Sequence, residues 1–136
     1  MARVSPPRRT STRTRAAELP ESLRREVTRR GEELLARKFA PLLAHETGVR
    51  RHEFNYAVAV FSEWRGRSFY LCVRYRTPRP AEEFVVRSTR LEYAGRDRFH
   101  LAYFRHTNRW QPVYYGLTVE QCFDTIEQEE VFWPLT

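Results

Sequence analysis

At 136 residues, 41% of them apolar and 14% aromatic, the chain has room for one domain with a modest core. No apolar run approaches the roughly 20 residues that cross a bilayer, and Met1-Ala2-Arg3-Val4-Ser5-Pro6-Pro7 leads into no hydrophobic segment, which argues against a secretory signal. The formal net charge of +7 is concentrated at one end: Arg3, Arg8, Arg9, Arg13 and Arg15 all precede the first acid, Glu18. The high isoelectric point therefore describes the start of the chain and not a basic groove through a fold.

Residues 1–18 mix Pro, Ser, Thr and Arg without apolar periodicity and are expected to form a disordered basic arm ahead of a single domain at 19–136. Leu19-Pro20-Glu21 opens a helix, with proline suited to the first turn. Leu23, Val27, Leu34, Leu35, Phe39, Leu42 and Leu43 recur on one helical stripe. Pro41 cannot sit in an unbroken helix, so a kink or a fresh short helix is expected there, with Thr47-Gly48 as its end.

From Phe54 the period changes to two. Residues 54–61 form a strand with Phe54, Tyr56, Val58 and Val60 on one face, and Glu63 to Arg67 make the turn. Strand 68–76 places Phe69, Leu71, Val73 and Tyr75 together. Thr77-Pro78-Arg79-Pro80 reads as loop, because two prolines remove ladder donors. Residues 83–93 and 98–106 make a second hairpin about Ala94-Gly95-Arg96-Asp97, and 109–115 make a last strand whose Pro112 suits an edge. Thr118 with Gln121 is a capping box, and Leu117 can staple against Cys122 in the helix that follows. The fold class is α+β: an amphipathic helix on an antiparallel sheet of about five strands, closed by a short C-terminal helix.

The C-terminal stretch carries a resemblance. The run Phe99 to Trp110, the pair Val113-Tyr114, the segment Leu117 to Glu127 and the closing Phe132-Trp133 resemble the bacterial domain-of-unknown-function family 3024, mainly over residues 97–134. Helix, proline, Arg-rich link and the Tyr-Ala-Val-Ala-Val strand stand upstream in the same order. The resemblance implies a fold unit and a bacterial source. It carries no catalytic residues.

Two surfaces could act. The arm, with Arg3, Arg8, Arg9, Arg13 and Arg15 and no acid, can neutralise phosphates in a weak, salt-sensitive way, or simply solubilise the chain. The sheet face away from the helix is expected to carry Asn55, Ala57, Ala59, Tyr70, Cys72, Arg74 and Arg76, joined by Arg87, His100, Phe104 and His106. Tyr70, Arg74 and Arg76 there can stack bases or anionic groups; the same composition suits a half-solvated face or a homodimer interface.

The residues for catalysis do not assemble. The turn acid Glu63 lacks an Asp or Lys near it, Lys38 being the only lysine, and the chain has five glycines and no phosphate loop. His100 and His106 on one strand would stand about 20 Å apart, too far to share a metal. Cys72 and Cys122 lack metal-ligand spacing and read as small buried side chains in a reducing compartment rather than a disulfide. No cofactor or metal is expected. Trp133 is expected to pack the final segment onto the sheet, and Trp64, between arginines in its turn, to be exposed with a cation–π contact. The sequence reading is a cytoplasmic, non-catalytic interaction module that forms a homodimer. Its alternative is a small nucleic-acid-binding protein using the arm and the Arg/Tyr sheet face. An organelle import sequence is the competing reading of the Arg- and Ser-rich start.

Overall fold

The computed structural model describes residues 18–43 and 54–135. Helix α1 (Glu21–Leu34) follows Pro20, whose φ of −63° and extended ψ of 143° suit a helix entrance. Its stripe of Leu23, Val27 and Leu34 is buried as the periodicity predicts, and Gly31 joins it for a packing reason. A Cβ added at Gly31 would stand 2.5 Å from Cζ of Phe69, which is fully buried, so glycine is what lets the helix approach the sheet this closely.

Pro41 does not break the helix. A π-turn at Leu35–Phe39 widens the backbone just before it, and helix then continues through residue 43. The N–H of Ala40 reaches back to the carbonyl of Leu35, five residues away. The extra residue in that turn accommodates a position that cannot donate a hydrogen bond. The expected end at Thr47-Gly48 lies outside the described residues.

Five strands follow as an antiparallel meander in the order β1-β2-β3-β4-β5. They are β1 (Tyr56–Arg65), β2 (Ser68–Arg76), β3 (Glu83–Gly95), β4 (Arg98–Phe104) and β5 (Trp110–Leu117). Sequential hairpins explain the order, since a tight turn returns a chain beside the strand it left. The first hairpin is longer than its sequence suggests: Trp64 and Arg65 belong to β1, and the turn is Gly66-Arg67, with Gly66 at φ +60°. Pro112 lies on β5, an edge strand, as expected.

β-Bulges reset which residues face the helices. The register of β1 against β2 slips between Ala57 and Ala59, so Val58 is the extra residue and the alternation reverses there. Ala57 therefore joins the core, where it had been expected on the far side, while Tyr56 pairs across from Arg76 on that far side. Beyond the bulge Val60 faces α1 as expected, with Phe69, Leu71 and Val73 from β2. Strand β4 stops at Phe104, which leaves His106 in the following turn and off the sheet face.

Helix α2 (Val119–Gln128) starts at Thr118, whose hydroxyl accepts from Gln121 N–H while the Gln121 side chain accepts from the Thr118 N–H, the reciprocal box read from sequence. Cys122, Phe123 and Ile126 bury against α1 and the sheet. A 3-10 turn at Glu130–Phe132 then seats Phe132, and Thr89, a polar side chain buried in the core, donates its hydroxyl to the Phe132 carbonyl. Trp133 packs edge-on against Phe39, ring centroids 5.9 Å apart, and its indole N–H donates to the Ile126 carbonyl at 2.7 Å. The closing segment is thus tied to helix and sheet by one hydroxyl, one indole and three aromatic rings. Both helices lie on one side of the sheet, and among the described residues no element covers the other side.

Candidate interaction surface

Strand alternation decides what the open face carries. The slip between Leu71 and Cys72 against β3 makes Ser88 an extra residue, so Arg87 and Arg90, three apart, point the same way. Across from them on β2 stand Tyr70, Cys72, Arg74 and Arg76, on β1 Phe61 and Glu63, and on β4 His100, Ala102 and Phe104. Trp110 pairs with Phe104 at the end of β5. Tyr70, Arg74, Arg76, Arg87, His100 and Phe104 are thus where the sequence placed them. Phe61, Glu63, Arg90 and Trp110 were not foreseen.

These side chains form a layer of guanidinium on aromatic ring. Arg87 lies 5.7 Å over Tyr70, Arg90 5.0 Å over Trp110, and Arg74 5.0 Å over Phe61. Tyr70 and Trp110 belong to strands separated by two others, about 14 Å at the usual strand spacing. Their rings nevertheless approach to 5.6 Å, so both lean across β3 and β4, and Phe104 meets Trp110 edge-on at 5.2 Å. Beneath this layer Cys72 and Ala102 are almost fully buried on what backbone topology makes an outer face. At the far end His100 meets Tyr115 at 5.0 Å, and its Nδ1 accepts the Gly116 N–H at 3.1 Å.

Two carboxylates on this face each hold two arginines. Glu63 takes Arg87 at 2.6 Å and Arg65 at 3.4 Å, while Glu83 takes Arg76 and, more loosely at 3.8 Å, Arg74. Partial burial pushes the Glu63 carboxyl up, but hydrogen bonds from Arg87 and Arg65 outweigh it and hold the group below the usual carboxylate range. Arg76 is raised in turn by its hydrogen bonds to Glu83 and Tyr56. Arg98 instead donates to the Gly116 carbonyl, and Arg90 differs again. It pairs with no carboxylate, and its Nε is buried without a hydrogen-bond partner among the described residues.

The two cysteines lie on opposite sides of the sheet, Cys72 under the open face and Cys122 in the core, so they do not bridge, and both are free. Burial pushes each thiol up to about 12, which keeps it protonated and a poor nucleophile near neutral pH. Among the described residues no three His, Cys, Asp or Glu side chains gather as metal ligands. On the open face Glu63 and Glu83 are held by arginine, while Glu92 stands across from His100. No described helix is long and apolar enough to cross a membrane.

Two further features border this face. Strand β1 is a sheet edge of ten residues. Its outer side meets a cleft of about 360 Å³ lined by Glu32, Leu35, Ala36 and Ala40 of the helix at its π-turn, and by Val60, Phe61 and Ser62. The other edge, β5, carries Pro112 and two register slips against β4. Trp64 lies on the helix side of β1, half-buried and not exposed: its indole N–H donates to the Thr28 hydroxyl at 2.8 Å, and Arg24, rather than Arg65 or Arg67, covers its ring at 4.6 Å. Arg3, Arg8, Arg9, Arg13 and Arg15 lie outside the described residues.

Helix, five-strand meander and helix, with both helices on one side and an arginine–aromatic layer on the other, define a two-layer α+β domain with an open sheet face. The chain belongs to the family described as a domain of unknown function (DUF3024), whose model matches residues 17–134. No curated protein and no solved structure matches it.

Proposed function

We propose that this domain is a non-catalytic interaction module that self-associates by pairing β1 of one copy with β1 of a second. The observation that carries this reading is the inequality of the two sheet edges. Proteins blunt an exposed edge with proline, bulges, short length or inward-pointing charge, because unpaired N–H and C=O groups template pairing with another chain. Strand β5 has such guards along its length, with Pro112 and slips at Phe99/Leu101 and Leu101/Ala102. Strand β1 has one bulge at Val58, and from Ala59 to Ser62 it reads Ala-Val-Phe-Ser with no proline and no charge.

The surroundings support a second copy as occupant. Strand addition draws affinity from main-chain bonds and specificity from pockets beside the edge, and the cleft at Ala36, Ala40, Val60 and Ser62 is such a pocket. Two β1 strands meeting antiparallel about a two-fold axis bring the two α1 helices alongside each other. The exposed surface of α1 alternates in sign, with Glu21–Arg25 and Arg29–Glu33 as i,i+4 pairs, which suits a self-complementary contact.

Light scattering on the full chain tests the reading. The expected mass is twice the 16.4 kDa of one chain, reduced to one chain by Ser62→Lys, a charged guard at the edge, with far-UV circular dichroism unchanged. A wild-type chain that stays single at every concentration refutes the proposal, as does a dimer untouched by Ser62→Lys. The nucleic-acid reading gains less from the open face. Arg87 and Arg74 already cover the rings of Tyr70 and Phe61, and Arg74 and Arg76 already hold Glu83, so a base or phosphate must displace existing partners. For the arm it remains a matter of retention at low salt, tested by a gel shift at two salt concentrations with and without residues 1–17.

A further inference from the structure

The unmatched arginine on the open face points to a ligand. Of the arginines that the register places on this face, Arg65 and Arg87 share Glu63, Arg74 and Arg76 share Glu83, and Arg98 donates to the Gly116 carbonyl at 3.2 Å. Arg90 has no ion pair among the described residues, and its buried Nε has no acceptor among them. A buried donor left unsatisfied is costly, and a charged one more so, unless something supplies the missing acceptor. Its guanidinium carbon lies 5.0 Å from the centre of the Trp110 ring, and its N–H groups can only donate, so what it lacks is an acceptor.

The same indole forms one wall of a cavity of about 200 Å³, completed by Val85, Val86, Arg87 and Phe104. Aliphatic and aromatic walls suit a hydrocarbon group. Arg87 gives its Nε to Glu63 at 2.6 Å and forms no other hydrogen bond with the described residues, so its two terminal nitrogens add donors on the same side. We infer that this cavity takes the apolar group of a carboxylate between Val85, Phe104 and Trp110, the anionic head meeting Arg87 at the cavity wall and Arg90 across the Trp110 ring. A planar carboxylate matches the two parallel N–H bonds that a guanidinium fork presents. This site is separate from the β1 edge, and neither claim depends on the other.

The probes are 3-phenylpropionate, its neutral analogue 3-phenylpropan-1-ol, and a short peptide ending in phenylalanine as the free acid or the amide. The readout is the indole N–H signal of Trp110 in a ¹⁵N correlation spectrum; the indoles of Trp64 and Trp133 are tied to Thr28 and Ile126 and serve as internal controls. The acid is expected to shift the Trp110 signal to saturation and to bind about tenfold or more tightly than the alcohol, as a charge-assisted pair does. Arg90→Met, which keeps the stem over the ring, should bring the acid down to the level of the alcohol. Arg90→Lys should retain part of the difference, and Arg74→Met should leave it intact. Tighter binding of the peptide acid than of phenylpropionate assigns the site to the terminus of a partner chain, and the reverse order assigns it to a free acid. Equal binding of acid and alcohol, an Arg90→Met variant that binds like wild type, or no movement of Trp110 with any probe overturns the inference.

Discussion

Gly31 gives the most direct check on how α1 meets the sheet. Replacing glycine by alanine in the middle of an exposed helix stabilises it by about 1 kcal/mol. Here the added methyl carbon would lie 2.5 Å from Cζ and 2.7 Å from Cε2 of Phe69, about 1 Å inside ordinary contact. Phe69 is fully buried, with the Trp64 ring 5.1 Å away, so it has nowhere to turn. Either the helix lifts by that distance, loosening Val27 and Leu34 from their seats, or the ring leaves its rotamer. Overpacking of this kind costs about 1–3 kcal/mol, so after the helical gain of about 1 kcal/mol the net expectation for Gly31→Ala is a loss of up to about 2 kcal/mol. Urea unfolding followed by circular dichroism measures it. A companion change, Phe69→Leu, removes the ring atoms that collide, and the double variant should be more stable than the sum of the two single losses predicts. A Gly31→Ala protein that is stabilised by about 1 kcal/mol, as at a solvent-facing helix position, would refute the close approach.

Three other outcomes follow from the geometry. Glu63 is held below its unfolded value by Arg87 and Arg65, so its contribution is complete above the unfolded carboxylate value of about 4.3 and is lost as pH falls through the lower folded value. Arg87→Met should therefore lower the urea midpoint at neutral pH, and the gap to wild type should close in strong acid; a gap that persists there contradicts the pairing. Neither Cys72 nor Cys122 should react with a thiol reagent at mildly alkaline pH until the protein is unfolded, because burial holds both thiols protonated; fast labelling of either in the folded state counts against its placement. Thr118→Ala should cost about 0.5–2 kcal/mol by removing the hydroxyl that accepts from Gln121, while Thr118→Ser should cost far less.

What the sequence disclosed was set by local rules. Period-two runs, the proline-bearing loop 77–80, the capping box at Thr118 and the edge position of Pro112 each depend on a few neighbouring residues, and each stands in the structure as expected. Single-residue insertions escaped detection, because a β-bulge leaves composition unchanged while reversing every side chain beyond it. The bulge at Val58 moved Ala57 into the core, and the one at Ser88 put Arg87 and Arg90 on the same face. A place in the turn between arginines predicts that Trp64 is exposed, yet it lies on β1 and its ring finds Thr28 and Arg24, thirty-six and forty positions back along the chain, and only tertiary contact reveals that. The π-turn before Pro41 likewise cannot be read from residue spacing, since it is one extra residue in an otherwise regular helix. Of the open face, Tyr70, Arg74 and Arg76 were legible from strand alternation on β2, where no bulge intervenes among them; Trp110, which completes the aromatic layer, reaches it only by leaning across two strands.

Hydrogen exchange of backbone amides at low and high protein concentration tests the self-association most directly. Amides of β1 between Ala59 and Ser62 that face away from β2 should exchange freely in dilute solution and gain protection as concentration rises, while those of edge strand β5 stay unchanged. Fast exchange along β1 at every concentration, or protection that grows on β5 instead, would contradict it.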